Sequence, residues 1–255
     1  MKLARKVGFL HIPRTGGTYL ESLLQDMGPN YFMNFFGTPE NQIQNKIGLI
    51  ENIERHKDIP GKIKNNPNWQ TCKLFSGHYS MNINKYLTDD CEIKYITILR
   101  DPIQRTTSFI KRVTSSRIFK NQIMPDSTSF DQNFWKNFND YISCGNKKGL
   151  MPHERHGFSN YMTKAIAGLD LSSEDLTVDE SVFLKAKSNL NNMVYVGSFE
   201  NYKKTVMDIL SLFDLNIPAI RYNELKISTI PQDTKEILTN LNQYDIRLHK
   251  EYFNE

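Results

Sequence analysis

Lys6-Val7-Gly8-Phe9-Leu10-His11-Ile12-Pro13-Arg14-Thr15-Gly16-Gly17-Thr18 is the stretch on which the reading of this chain turns. Its first seven residues form a short apolar run of the length of a buried strand, and the run stops at Pro13 and the Gly16-Gly17 pair. Thr18 then stands where it can cap a helix, and Tyr19, Leu20, Leu23, Leu24 and Met27 repeat at helical spacing until Gly28-Pro29. A strand, a glycine-bearing turn and a helix in that order make an anion cradle. The glycines let backbone N–H groups approach a ligand, the helix amino terminus supplies partial positive charge, and Arg14 adds a full one. Thr15 and Thr18 add hydroxyl donors. The segment is not the nucleoside-triphosphate loop, because G-x-x-x-x-G-K-[ST] is absent: Gly8 lies six residues before Arg14, and Pro13 precedes it. A Gly-Gly turn flanked by surface threonines is the alternative that this segment leaves open.

Working outward, Ile43, Ile47, Ile50 and Ile53 mark an amphipathic helix over 39–57, and Thr71-Cys72-Lys73-Leu74-Phe75 reads as a strand closing on Gly77-His78. Ile93 to Leu99 is the strongest strand. Arg100 sits at its carboxyl end, Asp101 is placed to cap, and Pro102 takes the first helical position, where its missing N–H costs nothing. The helix that follows carries Ile103, Thr107, Ile110 and Val113. Phe130, Phe134, Trp135 and Phe138 look helical, and Cys144 to Pro152 looks like a loop. A strand Met193 to Val196 precedes a helix Asn201 to Phe213, and helices over 231–242 and 244–253 finish the chain. Strands alternating with helices predict an α/β fold, a mostly parallel central sheet with helices on both faces. Ligands of such sheets sit at the carboxyl ends of the strands, where Pro13 to Thr18, Gly77-His78 and Arg100-Asp101 fall. No internal repeat or low-complexity linker marks a domain boundary, so residues 1–255 are expected to form a single domain.

Composition narrows the function classes. The 255 residues are 39% hydrophobic and 24% charged, enough to bury a full core. No stretch approaches the roughly 20 apolar residues of a membrane span. The amino terminus has no apolar segment or small-residue cleavage site of a secretory signal. Cys72, Cys91 and Cys144 are odd in number and match no zinc spacing, which suggests a reducing, cytoplasmic compartment. A net charge of +4 is too small and scattered to argue for nucleic acid, but it suits a compact polyanion.

His11-Ile12-Pro13-Arg14-Thr15-Gly16-Gly17-Thr18 is similar to the 5′-phosphosulfate loop of the sulfotransferases that use 3′-phosphoadenosine 5′-phosphosulfate (PAPS), closest to the heparan and uronyl 2-O-sulfotransferase group. Leu99-Arg100-Asp101-Pro102-Ile103-Gln104-Arg105-Thr106-Thr107-Ser108 resembles that family's 3′-phosphate motif, an arginine at a strand end and a serine eight residues later. Fainter likenesses follow in order. Ser76-Gly77-His78 resembles the segment that carries a catalytic base. Asn160-Tyr161-Met162-Thr163 with Ala167-Gly168, Tyr195 to Glu200, and Tyr244-Asp245-Ile246-Arg247-Leu248 resemble later family segments.

The resemblance implies a nucleotide-kinase-like P-loop sulfotransferase fold and transfer of a sulfuryl group from PAPS, leaving PAP, with no metal. The acceptor would be a hydroxyl, less readily an amine, of a carbohydrate or other small polar molecule. It implies Arg14, Thr15, Gly16, Gly17, Thr18, Arg100 and Ser108 as donor-binding residues, and Arg14 and His78 as catalytic ones. The family usually has lysine where this chain has Arg14. Arginine keeps its charge and can clamp an oxyanion bidentately but does not readily give up a proton, so the leaving oxygen would be stabilised electrostatically. A histidine near its ordinary pKa of about 6.5 can take the acceptor's proton at neutral pH.

Other residues read as follows. His11 is expected to be structural or to support the site. His153-Glu154-Arg155-His156 lacks the HExxH spacing and is read as a substrate-side loop rather than a metal site. Lys226, Ser228 and Thr229 fall where the family places a late cofactor turn. Phe130, Phe134, Trp135, Phe138 and Tyr141 read as packing rather than an acceptor platform. Lys111, Arg112 and Arg117 form a solvated face or a basic rim. Two rival functions stand beside the transferase: a P-loop kinase, which would need the missing lysine, and a non-catalytic PAP-binding module.

Overall fold

The computed structural model describes residues 4–25, 32–34, 67–85, 87, 91–114, 130–143, 156–171, 173, 176–215 and 229–253. Its strands are β1 (Ala4–Leu10), β2 (Phe32–Asn34), β3 (Leu74–Gly77), β4 (Cys91–Leu99) and β5 (Tyr195–Ser198). They form a sheet of order β2-β3-β1-β4-β5. All four pairings are parallel, as the alternation of strands and helices predicts. Leu10 at the end of β1 pairs with Gly77 on one side and Thr97 on the other.

The helices among these residues are α1 (Gly17–Gln25), α2 (Pro67–Thr71), α3 (Pro102–Thr114), α4 (Gln132–Ser143) and α5 (Tyr161–Ala167). Then come α6 (Glu180–Asn191), α7 (Tyr202–Ser211), α8 (Gln232–Leu241) and α9 (Gln243–Phe253), with a short 3-10 helix at Met81–Lys85. Side chains alternate across the sheet, because the strand period is two. Phe9, Leu74, Ile96 and Ile98 meet Leu20 and Leu24 of α1 and Val206 and Ile209 of α7. Leu10, Phe75, Tyr95 and Leu99 point the other way, toward α5, α6 and Leu248 of α9. Both faces are covered, which is how an all-parallel sheet buries its apolar strands.

Several boundaries differ from the sequence expectation, among them the first strand, expected over Lys6 to Ile12 and found at Ala4–Leu10. Thr71 closes α2 instead of opening a strand, so β3 begins at Leu74. The reason is Lys6: its buried ammonium donates to the carbonyls of Trp69 and Cys72, 2.7 Å for the latter, and so stabilises the carboxyl end of α2. The last strand runs from Tyr195 rather than Met193, since the pairing with β4 starts at Ile96–Tyr195 and leaves Val194 exposed. α1 starts at Gly17, so Thr18 lies inside the helix rather than capping it. Asp101 does cap α3, its Oδ1 accepting Gln104 N–H at 2.8 Å. The helix expected over 39–57 and the loop from Cys144 to Pro152 lie outside the described residues.

The aromatic run is mostly packing, as expected, with Tyr141 partly buried and Phe130 exposed. Phe134, Trp135 and Phe138 of α4 are buried with Phe109, Ile110 and Val113 of α3, Phe158, and Leu238 of α8. The short α5 is held by α9: Asp245 accepts Met162 N–H at 3.0 Å and Thr163 N–H and Oγ1–H, both at 2.7 Å. Asn160 returns the contact, its Oδ1 accepting the N–H of Tyr244 and Asp245. Two distant segments singled out in the sequence thus lock each other. No helix among the described residues is long and apolar enough to cross a membrane.

Removing the Asp245 carboxylate leaves buried N–H donors without acceptors, each costing about 1–3 kcal/mol. Asp245→Ala is therefore expected to destabilise the fold by about 2–4 kcal/mol. Urea unfolding should show a lower midpoint at unchanged slope; an unchanged midpoint contradicts the assignment of this lock.

Candidate functional site

β1 is the central strand, and the chain leaves it through α1 toward β2, while the chain leaving β4 travels toward β5. The crevice between the carboxyl ends of β1 and β4 is therefore a topological switch point, the place where open α/β sheets bind ligands. Arg14 lies at one lip and Arg100 at the other.

The turn after β1 has an unusual backbone. φ is positive at Arg14 (73°) and Gly16 (85°) but not at Thr15 between them. This alternation curls successive N–H groups into one concavity, a nest suited to an anion. A non-glycine residue in the left-handed region costs on the order of 1 kcal/mol, so the conformation at Arg14 has to be held from outside. Arg100 does so, its Nη1 donating to the Arg14 carbonyl at 3.0 Å. Five more carbonyls are taken by side chains: Phe9 by Tyr79, Leu10 by Thr97, His11 by His78, Ile12 by Thr15 and Gly16 by Tyr202. With these oxygens engaged, the amides are what the turn has to offer. Gly17 completes the fit, because a Cβ there would run into the His11 ring.

Each sequence-derived candidate has a definite place. Arg14 is exposed, and its Nε donates to Ser108 Oγ at 3.0 Å, so the two motifs meet although 94 residues separate them. Arg100 is only 6% exposed, stacked 4.2 Å over the Phe199 ring. Thr15 is fully buried and its hydroxyl donates to Ile12 O at 2.8 Å; the expectation that this hydroxyl serves a ligand is corrected, and its N–H is what remains. Thr18 is exposed on the first turn of α1. Gly16 lies against Tyr202. His78 is half-buried at the end of β3, its ring centroid 4.0 Å from that of His11. Its Nδ1 lies 2.8 Å from the His11 carbonyl, which only accepts, so Nδ1 carries a proton and, in the neutral ring, Nε2 has the lone pair.

Other expectations separate. His156 is buried and bonded to the Ser173 carbonyl at 2.7 Å, so it is a structural residue rather than part of a substrate loop. His153, Arg155, Arg117, Lys226 and Ser228 lie outside the described residues. Lys111 sits 5.0 Å over the Phe130 ring, whereas Arg112 is exposed. Although its side chain is exposed, partial desolvation against the protein lowers the Arg14 pKa from its ordinary value, and the nearby charge of Arg112 lowers it further; it remains a cation at any working pH. Among the described residues no cluster of three or more His, Cys, Asp or Glu could hold a metal.

Sequence reasoning missed Glu21 and Tyr202, and it singled out Phe199 and Glu200 only within the family-like segment Tyr195 to Glu200, without a role at the site. A signal existed for the first: Glu21 falls on the apolar face of α1 with Leu20 and Leu24, where a carboxylate needs a partner. Glu200 braces the other lip. It accepts Asp101 N–H at 2.9 Å and Ser198 Oγ–H at 2.7 Å, with His249 Nε2 3.9 Å away. Burial by itself would raise its carboxyl. His249, the Asp101 N–H and the Ser198 hydroxyl outweigh that and bring it down to about 2.

A carboxyl depressed in the folded state contributes stability above its ordinary pKa of 4.5, and that contribution is lost as pH falls toward 2. The group is partly exposed, so solvent screening keeps the effect modest. Glu200→Gln should flatten the loss of stability between pH 4.5 and 2, measured by thermal unfolding across that range. Parallel pH profiles for the variant and the parent contradict it.

No protein-family model matches the sequence, and no curated protein matches it. Among solved structures, the chain is similar to a sulfotransferase from Alicyclobacillus acidocaldarius, with 11% sequence identity and a TM-score of 0.46, over 98% of this chain and 96% of that one.

Proposed function

We propose that this chain, residues 1–255 acting as one domain, is a sulfotransferase that moves a sulfuryl group from PAPS to a hydroxyl of a carbohydrate or other small polar acceptor. An amine is the less favoured acceptor. The observation that carries this reading is the convergence of Arg14, Arg100 and Ser108 at the switch point, where two separate anion motifs become one surface. A single phosphate needs only the nest. A second arginine and a hydroxyl beside it suit a second phosphate, such as the 3′-phosphate of PAP.

The donor set fits such a ligand. The N–H groups of Thr15, Gly16, Gly17 and Thr18 with the amino end of α1 would take the 5′ group, and Arg100 with Ser108 the 3′-phosphate. PAPS supplies the activated sulfuryl group. Arg14, a permanent cation at the turn, would balance charge developing on the leaving oxygen, the largest contribution a preorganised site can make. His78 Nε2 would accept the acceptor hydroxyl's proton, while Nδ1–H stays on the His11 carbonyl and fixes the ring. A kinase would need a lysine in this turn, and the turn has Arg14 after Pro13. A non-catalytic PAP-binding module would bind in the same way and transfer nothing.

Thermal-shift measurements with PAP and with ATP test the reading. PAP should stabilise the fold and ATP much less, since ATP lacks a 3′-phosphate; equal shifts contradict it. Arg100→Ala should weaken PAP binding by about 1.5–3 kcal/mol, the scale of a hydrogen bond to a charged group.

His78→Ala separates chemistry from binding. It should bind PAP normally yet lose about 10²–10⁴ in turnover, along with the acidic limb of the pH–rate profile. Near-normal turnover with an identified acceptor removes His78 as the base. Loss of PAP binding by a folded variant makes it a support of the cradle instead.

A further inference from the structure

A buried carboxylate lies directly behind this site, and nothing in the mechanism above uses it. Glu21 sits in the second turn of α1, only 7% exposed. His11 Nδ1 donates to its Oε1 at 2.8 Å, and Ser76 Oγ donates to the same oxygen. One side chain thus ties α1 to the end of β1 and to β3. The tie continues to the surface. The His11 ring fills the space beside Gly17 under the cradle, and the His11 carbonyl accepts the Nδ1–H of His78 at 2.8 Å.

We propose that Glu21 is a positioning residue for this site, its carboxylate holding His11 beneath the cradle and stabilising the imidazolium that forms when His78 Nε2 takes a proton. The second half of this proposal deepens the transferase reading above and rests on it. In that step the acceptor's O–H bond breaks, its proton moves to Nε2, and the electron pair stays on the attacking oxygen. His78 then carries a positive charge, and Glu21 is a negative charge placed behind it.

Among the described residues, the titratable groups that act on Glu21 are His11 from the end of β1, and His78 and Tyr79 following β3. Tyr79 is buried, donates to the Phe9 carbonyl at 3.1 Å, and is kept neutral by burial and by the nearby Tyr95 and Glu21. Burial alone would raise the Glu21 carboxyl. The charge and hydrogen bond of His11, the Ser76 hydroxyl and the His78 charge together hold it below its ordinary value. The group is therefore an anion over the range in which a histidine titrates. A purely structural brace would need hydrogen bonds but no charge, and this difference can be measured.

Glu21→Gln keeps the shape and removes the charge. In histidine NMR titrations, with His78 assigned by its absence in His78→Ala, the His78 midpoint should fall by roughly one pH unit in Glu21→Gln. In a sulfuryl-transfer assay kcat should fall about tenfold, the same one-unit scale read as a rate, with KM for PAPS unchanged and the acidic limb moved down in step. An unmoved His78 midpoint in a folded variant overturns the proposal. Should the variant fail to fold, carbon-13 titration of the Glu21 carboxyl in the unmodified protein decides. A carboxylate ionised throughout the His78 transition supports the proposal, and a carboxyl still protonated at neutral pH overturns it. The two readings fail separately. No transfer by the unmodified protein, with His78 still shifted by Glu21→Gln, removes the sulfotransferase step and leaves the charge coupling. Intact transfer with an unmoved midpoint removes the coupling alone.

Discussion

The carbonyl oxygens around the first turn are the constraint on which the rest of this molecule depends. From Phe9 to Gly16 the chain has to reverse out of the central strand and enter a helix with its amides available and its oxygens out of the way. Six of those oxygens, from Phe9, Leu10, His11, Ile12, Arg14 and Gly16, are held by side chains from β3's end, β4, α7, Arg100 and the turn itself. Each bond contributes about 1 kcal/mol, enough together to offset the left-handed backbone at Arg14. Because β1 is the central strand and hydrogen-bonded on both sides, the turn is anchored in the middle of the sheet. Preorganisation of this kind is what electrostatic catalysis requires, since donors fixed before the ligand arrives need no reorganisation during the reaction.

The charges follow the same logic. Arg112 is near enough for its charge to lower the Arg14 pKa, and among the described residues neither joins an ion pair. Two like charges near a protein surface repel by about 1–4 kcal/mol at separations of 4–15 Å, and a polyanion placed between them would relieve that repulsion. The carboxylates stand behind the lips rather than in the crevice. Glu200 holds the Asp101 amide and Glu21 holds His11, so each negative charge orients a group of the site without neutralising Arg14.

The carboxyl-edge geometry was legible in the sequence because local rules govern it. A strand that stops at Pro13, a Gly-Gly turn and a helical repeat leave few alternatives, and Asp101 before Pro102 announces a helix start that the structure contains. What escaped reading is set by tertiary contact. α2 ends where a lysine 65 residues earlier in the chain reaches its carbonyls, counting from Lys6 to Thr71. α5 is seven residues long, too short for a periodic signal, and exists because Asp245 caps it from α9. The Thr15 hydroxyl turned inward for a similar reason: a carbonyl at hydrogen-bond distance and full burial left it no other direction. Glu21 was readable in principle, as a carboxylate on an apolar helix face, but its partners come from the residue after β1 and from β3.

The central claim is that the crevice between β1 and β4 recognises two phosphates at once, and calorimetry with PAP and with adenosine 5′-monophosphate tests it most directly. The two ligands differ only in the 3′-phosphate that Arg100 and Ser108 would hold. The account predicts that PAP binds more tightly by roughly 1.5–3 kcal/mol, about 10- to 150-fold, and that the advantage shrinks in Arg100→Ala. Equal affinities for the two nucleotides would contradict it.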